Sequence, residues 1–212
     1  MRDIVSIAVP KGKLMKPSIS LLSKIGIKGI GLNSDSRRLI FNDKKNHYRL
    51  MIVRAIDVPT YVEHGAADMG IAGKDLILDQ GKDIYEPLDL GFGHCTIVLA
   101  GPKEGINTRR GYSKLKVATK YPNIAEDYFS RKGIPAEIIK LYGSIELAPL
   151  TGLADRIIDL SSSGRTLAEN NLVILDVIAE STARLIVNRA SIKIKYERIT
   201  EIISRLREQT EG

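Results

Sequence analysis

The segment Asp159-Leu160-Ser161-Ser162-Ser163-Gly164-Arg165-Thr166-Leu167 concentrates more chemistry than any other stretch of the chain. It follows the apolar run Ile157-Ile158 and precedes a short helical stretch. Three serines, a glycine and a threonine give a tight loop whose backbone N–H groups can converge on one anion. The hydroxyls of Ser161, Ser162, Ser163 and Thr166 add donors, and Arg165 adds charge. The size suits one phosphate monoester; a polar turn with capping serines is the plainer alternative. Asp159 needs a task of its own, because a phosphate beside it repels a carboxylate. A cis-diol is the natural target, since a carboxylate accepts two hydrogen bonds from it. Phosphate in the loop and diol on Asp159 together describe a ribose 5-phosphate site. Taken alone, Asp159 also reads as a turn cap.

The elements that must position this loop alternate between strand and helix. Ile4 to Val9 reads as a buried strand stopped by Pro10, Lys11-Gly12-Lys13 as a turn, and Pro17 opens a helix that Gly26 ends. Asp57 is placed to cap a short helix over Val58–Glu63. Asp68 to Ala72 reads as a short strand, and Gly73-Lys74-Asp75 enters another helix. Further strands are expected at 96–100, 115–119, 137–141, 156–160, 172–178 and 183–187. A last helix is expected from about Ile192 to Arg207, where Ile192, Tyr196, Ile199, Ile202, Ile203 and Leu206 recur at helical spacing. The alternation predicts an α/β fold. Two stretches echo each other: Gly65-Ala66-Ala67-Asp68-Met69-Gly70-Ile71 and Gly152-Leu153-Ala154-Asp155-Arg156-Ile157-Ile158. Each feeds an apolar strand from a Gly–x–Ala–Asp corner. The echo predicts two similar α/β lobes with mixed, largely parallel sheets and a ligand cleft between them. The expected lobes are residues 1–93 plus 181–212 and residues 94–180.

Composition narrows the partners. The 212 residues carry 32 basic and 25 acidic side chains, a net charge of +7, which suggests an anionic partner: nucleic acid, a membrane surface or phosphorylated small molecules. Trp is absent and aromatics make up 5%, which argues against base stacking on an aromatic platform. No apolar run approaches the roughly 18 residues of a membrane span. Met1-Arg2-Asp3 starts no signal pattern. Cys95 is the single cysteine, which excludes an internal disulfide and a multi-Cys zinc site. The chain is therefore expected in the cytoplasm, with neither nucleic acid nor membrane as partner.

Several longer motifs resemble the ATP phosphoribosyltransferase family, the first enzyme of histidine biosynthesis. They are Val53-Arg54-Ala55-Ile56-Asp57-Val58-Pro59-Thr60-Tyr61 running on to Asp75, Asp89-Leu90-Gly91-Phe92-Gly93-His94-Cys95, Ala118-Thr119-Lys120-Tyr121-Pro122 and Gly143-Ser144-Ile145-Glu146-Leu147-Ala148-Pro149. The Asp159–Leu167 loop is similar to that family's phosphoribosyl-diphosphate signature. The length resembles the family's short form, which lacks a C-terminal regulatory domain.

The resemblance implies transfer of the 5-phosphoribosyl group from phosphoribosyl diphosphate to N1 of ATP, with release of pyrophosphate and a requirement for Mg²⁺. It implies Asp159, Ser161, Ser162, Ser163, Gly164, Arg165 and Thr166 on phosphoribosyl diphosphate, with Glu146 and Asp159 at the ribose hydroxyls. It implies Lys11, Gly12, Arg38, Arg54, Asp68, Gly70 and Gly73 on ATP, with Lys11 facing either the pyrophosphate or the ATP phosphates. Glu146, Asp159, Arg54 and Lys11 would carry catalysis; for Lys11 a solvated lysine, and for Asp68 a structural cap, are the plainer alternatives. The nucleotide would lie on the lobe 1–93 plus 181–212, and phosphoribosyl diphosphate on the lobe 94–180. No protein metal ligand is indicated, and Mg²⁺ would ride on the diphosphate. Adenine N1 has a lone pair, so no general base is needed, and His47, His64 and His94 are expected to be structural. Cys95 is expected to be buried. The implied assembly is a homodimer or a hetero-octamer with a regulatory subunit similar to histidyl-tRNA synthetase. The competing reading is a two-lobed receptor that binds a phosphorylated ligand without chemistry, a plan shared with periplasmic solute receptors.

Overall fold

The computed structural model describes residues 4–28, 38–43, 45–103 and 114–210. In chain order the first elements are β1 (Val5–Pro10), α1 (Met15–Lys24), β2 (Ile40–Asp43), β3 (Tyr48–Val53), α2 (Val58–Glu63), β4 (Met69–Gly73), α3 (Lys74–Gln80) and β5 (Tyr85–Asp89). There follow β6 (Cys95–Pro102), β7 (Leu115–Thr119), α4 (Pro122–Arg131), β8 (Ala136–Lys140), α5 (Leu147–Leu150), β9 (Arg156–Ser161), α6 (Arg165–Glu169) and β10 (Leu172–Ser181). The chain closes with β11 (Ala183–Val187), α7 (Ser191–Ile194) and α8 (Tyr196–Thr210). Two compact units result: Met1–Gly93 with Thr182–Gly212, here unit 1, and His94–Ser181, unit 2.

Unit 1 is built on a six-stranded sheet in the order β2-β3-β1-β4-β11-β5. Its centre is parallel, β1 pairing with β3 and β4, while β2, β11 and β5 run antiparallel to their neighbours. Alternation along β1 sends Val5, Ile7 and Val9 to one face and Ala8 to the other. The first face packs against Leu21 and Leu22 of α1 and against Ile199, Ile202 and Leu206 of α8. The second packs against Val58 and Val62 of α2. Each such aliphatic side chain taken out of water contributes about 1.5–3 kcal/mol, so the sheet is fixed from both sides.

Unit 2 repeats the plan with five strands in the order β10-β6-β9-β7-β8. Three strands are again parallel, β7 pairing with β8 and β9, and β6 and β10 are antiparallel to their neighbours. Val98, Ala100, Ala118 and Ile157 form the face covered by Ile145 and Ala148 near α5 and by Leu167 of α6. Both sheets are mixed; the parallel pairs are central in unit 1 and lie toward the β8 edge in unit 2.

Several elements differ from the sequence expectation. The last helix is two helices, because Lys195 leaves helical geometry (φ −116°, ψ 35°) between α7 and α8. Strand β5 is an element the sequence reading did not include; its Pro87 is tolerated because β5 is the edge strand. Asp57 makes no side-chain cap to α2 and instead ends a 3₁₀ turn over Ala55–Asp57. Cys95 is half-buried rather than buried, its Sγ 3.8 Å from the Ser181 carbonyl oxygen. Among the described residues no helix is long and apolar enough to cross a membrane.

Candidate functional site

The two echoed Gly–x–Ala–Asp corners turn out to be one structural device used twice. In unit 1 the Ser6 N–H donates to Asp68 Oδ2 (2.8 Å), and the Asp68 N–H donates to the Ser6 carbonyl (2.9 Å). In unit 2 the Lys116 N–H donates to Asp155 Oδ2 (2.9 Å), and the Asp155 N–H donates to the Lys116 carbonyl (2.8 Å). Each aspartate thus locks the start of β4 or β9 onto the adjacent first parallel strand, β1 or β7. The equivalence fixes how the units correspond and which end of each sheet is left for ligands: the C-terminal edge of the parallel strands.

This corrects two expectations. Asp68 is buried at the N-terminal end of β4 and does not lie on that edge. Its oxygens also accept from the Ser6 hydroxyl (2.8 Å), the Ser191 hydroxyl (2.7 Å) and the Lys195 ammonium (2.9 and 2.8 Å). Burial pushes its pKa up, but the hydrogen bonds from Lys195, Ser6 and Ser191 outweigh this and hold it below the ordinary carboxylate value. Asp68 therefore pins the α7–α8 junction to the sheet. Gly70 is likewise a packing residue, since a Cβ there would lie 2.8 Å from both Val58 Cγ1 and Val62 Cγ2 of α2. Gly73 gives way to the Asp75 side chain, which occupies the space its Cβ would fill.

The C-terminal edge of unit 1 gathers the cations read from the sequence. Pro10 and Val53 are paired in the parallel ladder, so Lys11 and Arg54 leave β1 and β3 side by side. Both are exposed, with no ion pair among the described residues. β2 runs antiparallel to β3 with Ile40 opposite Met51, and the Ile52 N–H donates to the Leu39 carbonyl (2.8 Å). Arg38, exposed, therefore reaches the same edge. Gly12, at φ +97°, turns the chain after Lys11 and accepts from the Met15 N–H at 3.1 Å.

At the end of β4 lies a network that sequence reasoning missed. Lys74 Nζ is 2.7 Å from Glu86 Oε2, and Arg184 Nη2 is 2.9 Å from Asp89 Oδ2, which also accepts from the Thr182 hydroxyl (3.0 Å). Arg184 Nε is buried without a partner. Arg184 carried no signal because only the β11–β4 register brings it there.

The C-terminal edge of unit 2 carries the serine loop. Asp159 is half-buried in β9, opposite Val98 of β6, and its Oδ1 accepts the Leu160 N–H at 2.9 Å. Ser161 ends the strand, and its hydroxyl accepts the Gly164 N–H (3.0 Å), which closes the turn. Gly164 has φ +71°, a left-handed conformation that a side chain would strain. Ser162, Ser163 and Thr166 are exposed around that turn, and α6 has no side-chain cap. Arg165 is not turned to the loop: its Nε lies 2.8 Å from Glu169 Oε1 in an exposed pair one helical turn on. Glu146 is half-buried at the start of α5, whose body packs on β9. The buried Ile145 anchors it from below, and Ser144 bends the approach at φ +48°. Asp159 and Glu146 thus belong to the same edge of one unit.

Of the three histidines, only His94 stands near a ligand edge: it is exposed just before β6, whose Thr96 pairs with Ser161. His64 is the C-terminal cap of α2, and His47 turns the β2–β3 connection at φ +58°. Among the described residues no cluster of three or more His, Cys, Asp or Glu could hold a metal ion.

Comparison with known proteins places this geometry. A family model described as HisG, ATP phosphoribosyltransferase, matches residues 54–208. An ATP phosphoribosyltransferase of Syntrophotalea carbinolica is 54% identical over 208 residues, covering 97% of this chain and 95% of that protein. A solved ATP phosphoribosyl transferase (HisG:HisZ) complex from Thermotoga maritima aligns with a TM-score of 0.85 at 36% identity, covering 98% of this chain and 99% of that one. The periplasmic aliphatic sulphonate binding protein SsuA of Escherichia coli aligns at 0.57 with 12% identity, over 98% of this chain and 72% of its own; it shares the two-lobed α/β fold alone.

Proposed function

The chain belongs to the ATP phosphoribosyltransferase family, and from this premise we propose how its two strand edges divide the work of joining phosphoribosyl diphosphate to N1 of ATP, the first step of histidine biosynthesis. The observation that carries the reading is the placement of Asp159, the Ser161–Gly164 turn and Glu146 on one edge of unit 2, with Lys11, Arg38 and Arg54 on the corresponding edge of unit 1. In this reading the loop N–H groups and the hydroxyls of Ser161, Ser162, Ser163 and Thr166 hold the 5-phosphate. Asp159 and Glu146 accept hydrogen bonds from the ribose hydroxyls. Lys11, Arg38 and Arg54 hold the ATP phosphates, with Gly12 letting the backbone approach them.

Chemistry of this kind asks little covalent help from the protein. The C1–O bond lengthens, charge grows on the departing diphosphate, and the sugar gains oxocarbenium character. Positioning and fixed charges supply the acceleration. Adenine N1 brings its own lone pair, so no residue has to remove a proton first. Mg²⁺, a hard cation that prefers oxygen ligands, would be carried by the diphosphate and water; Asp159 offers a donor of the right type at that edge. The bound Mg²⁺ would neutralise phosphate charge. The Thermotoga maritima relative is found in a HisG:HisZ complex, which supports a hetero-oligomer with a separate regulatory subunit here too, in a cytoplasmic enzyme.

The test is product formation. The chain incubated with ATP, phosphoribosyl diphosphate and Mg²⁺, with and without a HisZ-type subunit, should show the absorbance of N1-ribosylated adenine. Binding of either substrate with no product in both arms would favour the receptor reading.

A further inference from the structure

Resting on that reading, we infer that Lys120 is a further substrate-binding residue, the cation that holds the diphosphate leaving group on unit 2. The parallel register pairs Ala118 with Ile157 and Thr119 with Ile158. The next position along that register sets Lys120, the first residue after β7, beside Asp159 of β9 at the ligand edge. Ala118 and Ile157 belong to the face covered by α5 and α6; strand alternation puts Asp159 on that same face, and Lys120 follows Ala118 by two positions in the bend that ends β7.

The topology then assigns the ends of the sugar. From β9 the chain turns through Ser161–Gly164 into α6, which packs on β10. In the order β10-β6-β9-β7-β8, that is the side of β9 away from β7. The 5-phosphate cradle thus lies on one side of Asp159, and Lys120 lies on the other. In a ribose ring C4, which carries the 5-phosphate arm, and C1 flank the ring oxygen on opposite sides. A sugar held by its hydroxyls at Asp159, with its 5-phosphate in the cradle, directs its C1 substituent toward β7.

Lys120 is also the uncommitted cation of this edge. It is half-buried and has no ion pair or side-chain hydrogen bond among the described residues. Arg165 is engaged with Glu169, and the Lys140 ammonium stands 5.7 Å from the Tyr142 ring centroid. Lys116 and Arg156 sit at the opposite end of their strands. The two units match in this respect: Lys11 follows β1 and Lys120 follows β7, the strands that the Asp68 and Asp155 locks make equivalent. During transfer the C1–O bond breaks with its electron pair on the departing oxygen, and the N1 lone pair forms the new bond. Lys120 gives up no proton; its ammonium offsets the growing charge.

The experiment compares wild type, Lys120→Met and Lys120→Arg in the complete enzyme with Mg²⁺. Inhibition by inorganic pyrophosphate and by ribose 5-phosphate is measured, with KM for both substrates and a thermal melt. One charge-assisted contact corresponds to roughly a tenfold to hundredfold change. Lys120→Met should weaken pyrophosphate and raise KM for phosphoribosyl diphosphate by about that factor. Ribose 5-phosphate and ATP should stay within about twofold, and Lys120→Arg should recover most of the loss. An active wild type with an unchanged Lys120→Met enzyme, or with equal losses for pyrophosphate and ribose 5-phosphate, overturns the assignment of Lys120 alone. A wild type that makes no product overturns the functional reading and this inference with it. A lowered melt that Lys120→Arg does not restore would make Lys120 structural.

Discussion

Replacing Asp68 by alanine separates a packing role from a substrate-binding role. The residue is 4% exposed, and its carboxylate takes two hydrogen bonds from Ser6, one from Ser191 and two from Lys195. Truncation leaves the Lys195 ammonium, whose side chain is 19% exposed, without its counter-ion, and strips the Ser6 N–H of its acceptor. Removing one member of a buried pair costs roughly 3–5 kcal/mol. For a chain of this size each kcal/mol lowers the melting temperature by about 2–4 °C, so the expected fall is roughly 6–20 °C. Lys195→Met should sit at the lower end, because Ser6 and Ser191 still satisfy the carboxylate. Asp155→Ala, which loses the Lys116 N–H bond and the nearby charge that favours the Arg156 guanidinium, should cost about 1 kcal/mol. The assay is thermal unfolding by circular dichroism, with KM for ATP measured below every melting point. KM for ATP should stay within about twofold of wild type. An unchanged melt with KM for ATP raised tenfold would return Asp68 to the nucleotide and refute the structural assignment.

Two further outcomes follow from named contacts. Asp176 of β10 is held at about 2 by the Lys132 ammonium and the Tyr128 hydroxyl, and Lys132 is pushed up to about 12 by Asp176 and Tyr128. The carboxylate's contribution to stability is complete above its ordinary 3.8 and lost as pH falls toward about 2. The ammonium's contribution is complete below its ordinary 10.5 and lost as pH rises toward about 12. Asp176→Asn should therefore lower stability between those limits and flatten both arms of a pH–melting curve. Asp159→Asn should lower kcat about tenfold or more with an unchanged melt, which a turnover assay beside calorimetry would show.

The sequence carried the local chemistry better than its placement. The serine loop and the Lys11 turn were legible because each combines its residue types within a few positions of a strand end; Arg54, Arg38 and Glu146 came only with the family resemblance. The Gly–x–Ala–Asp echo was visible too, but its meaning was not: an aspartate that locks two strands and one that faces a ligand look alike until the partner, Ser6 or Lys116, is brought alongside. Arg184 and Lys120 show the other limit. Their neighbours, Asp89 and Asp159, lie 95 and 39 positions away, and only strand register brings each pair together. The helix that periodicity runs straight through is broken at Lys195, whose ammonium pairs with Asp68.

The division of substrates between the two edges is tested most directly by one crossed measurement. Gly164→Val forces a β-branched residue into φ +71°, which costs about 1–2 kcal/mol or reshapes the 5-phosphate loop. Arg54→Ala removes a cation from the edge of unit 1. With KM for both substrates measured in both variants, Gly164→Val should raise the value for phosphoribosyl diphosphate about tenfold and leave ATP within twofold, and Arg54→Ala should do the reverse. Equal losses for both substrates in both variants, or the opposite pairing, would contradict the account.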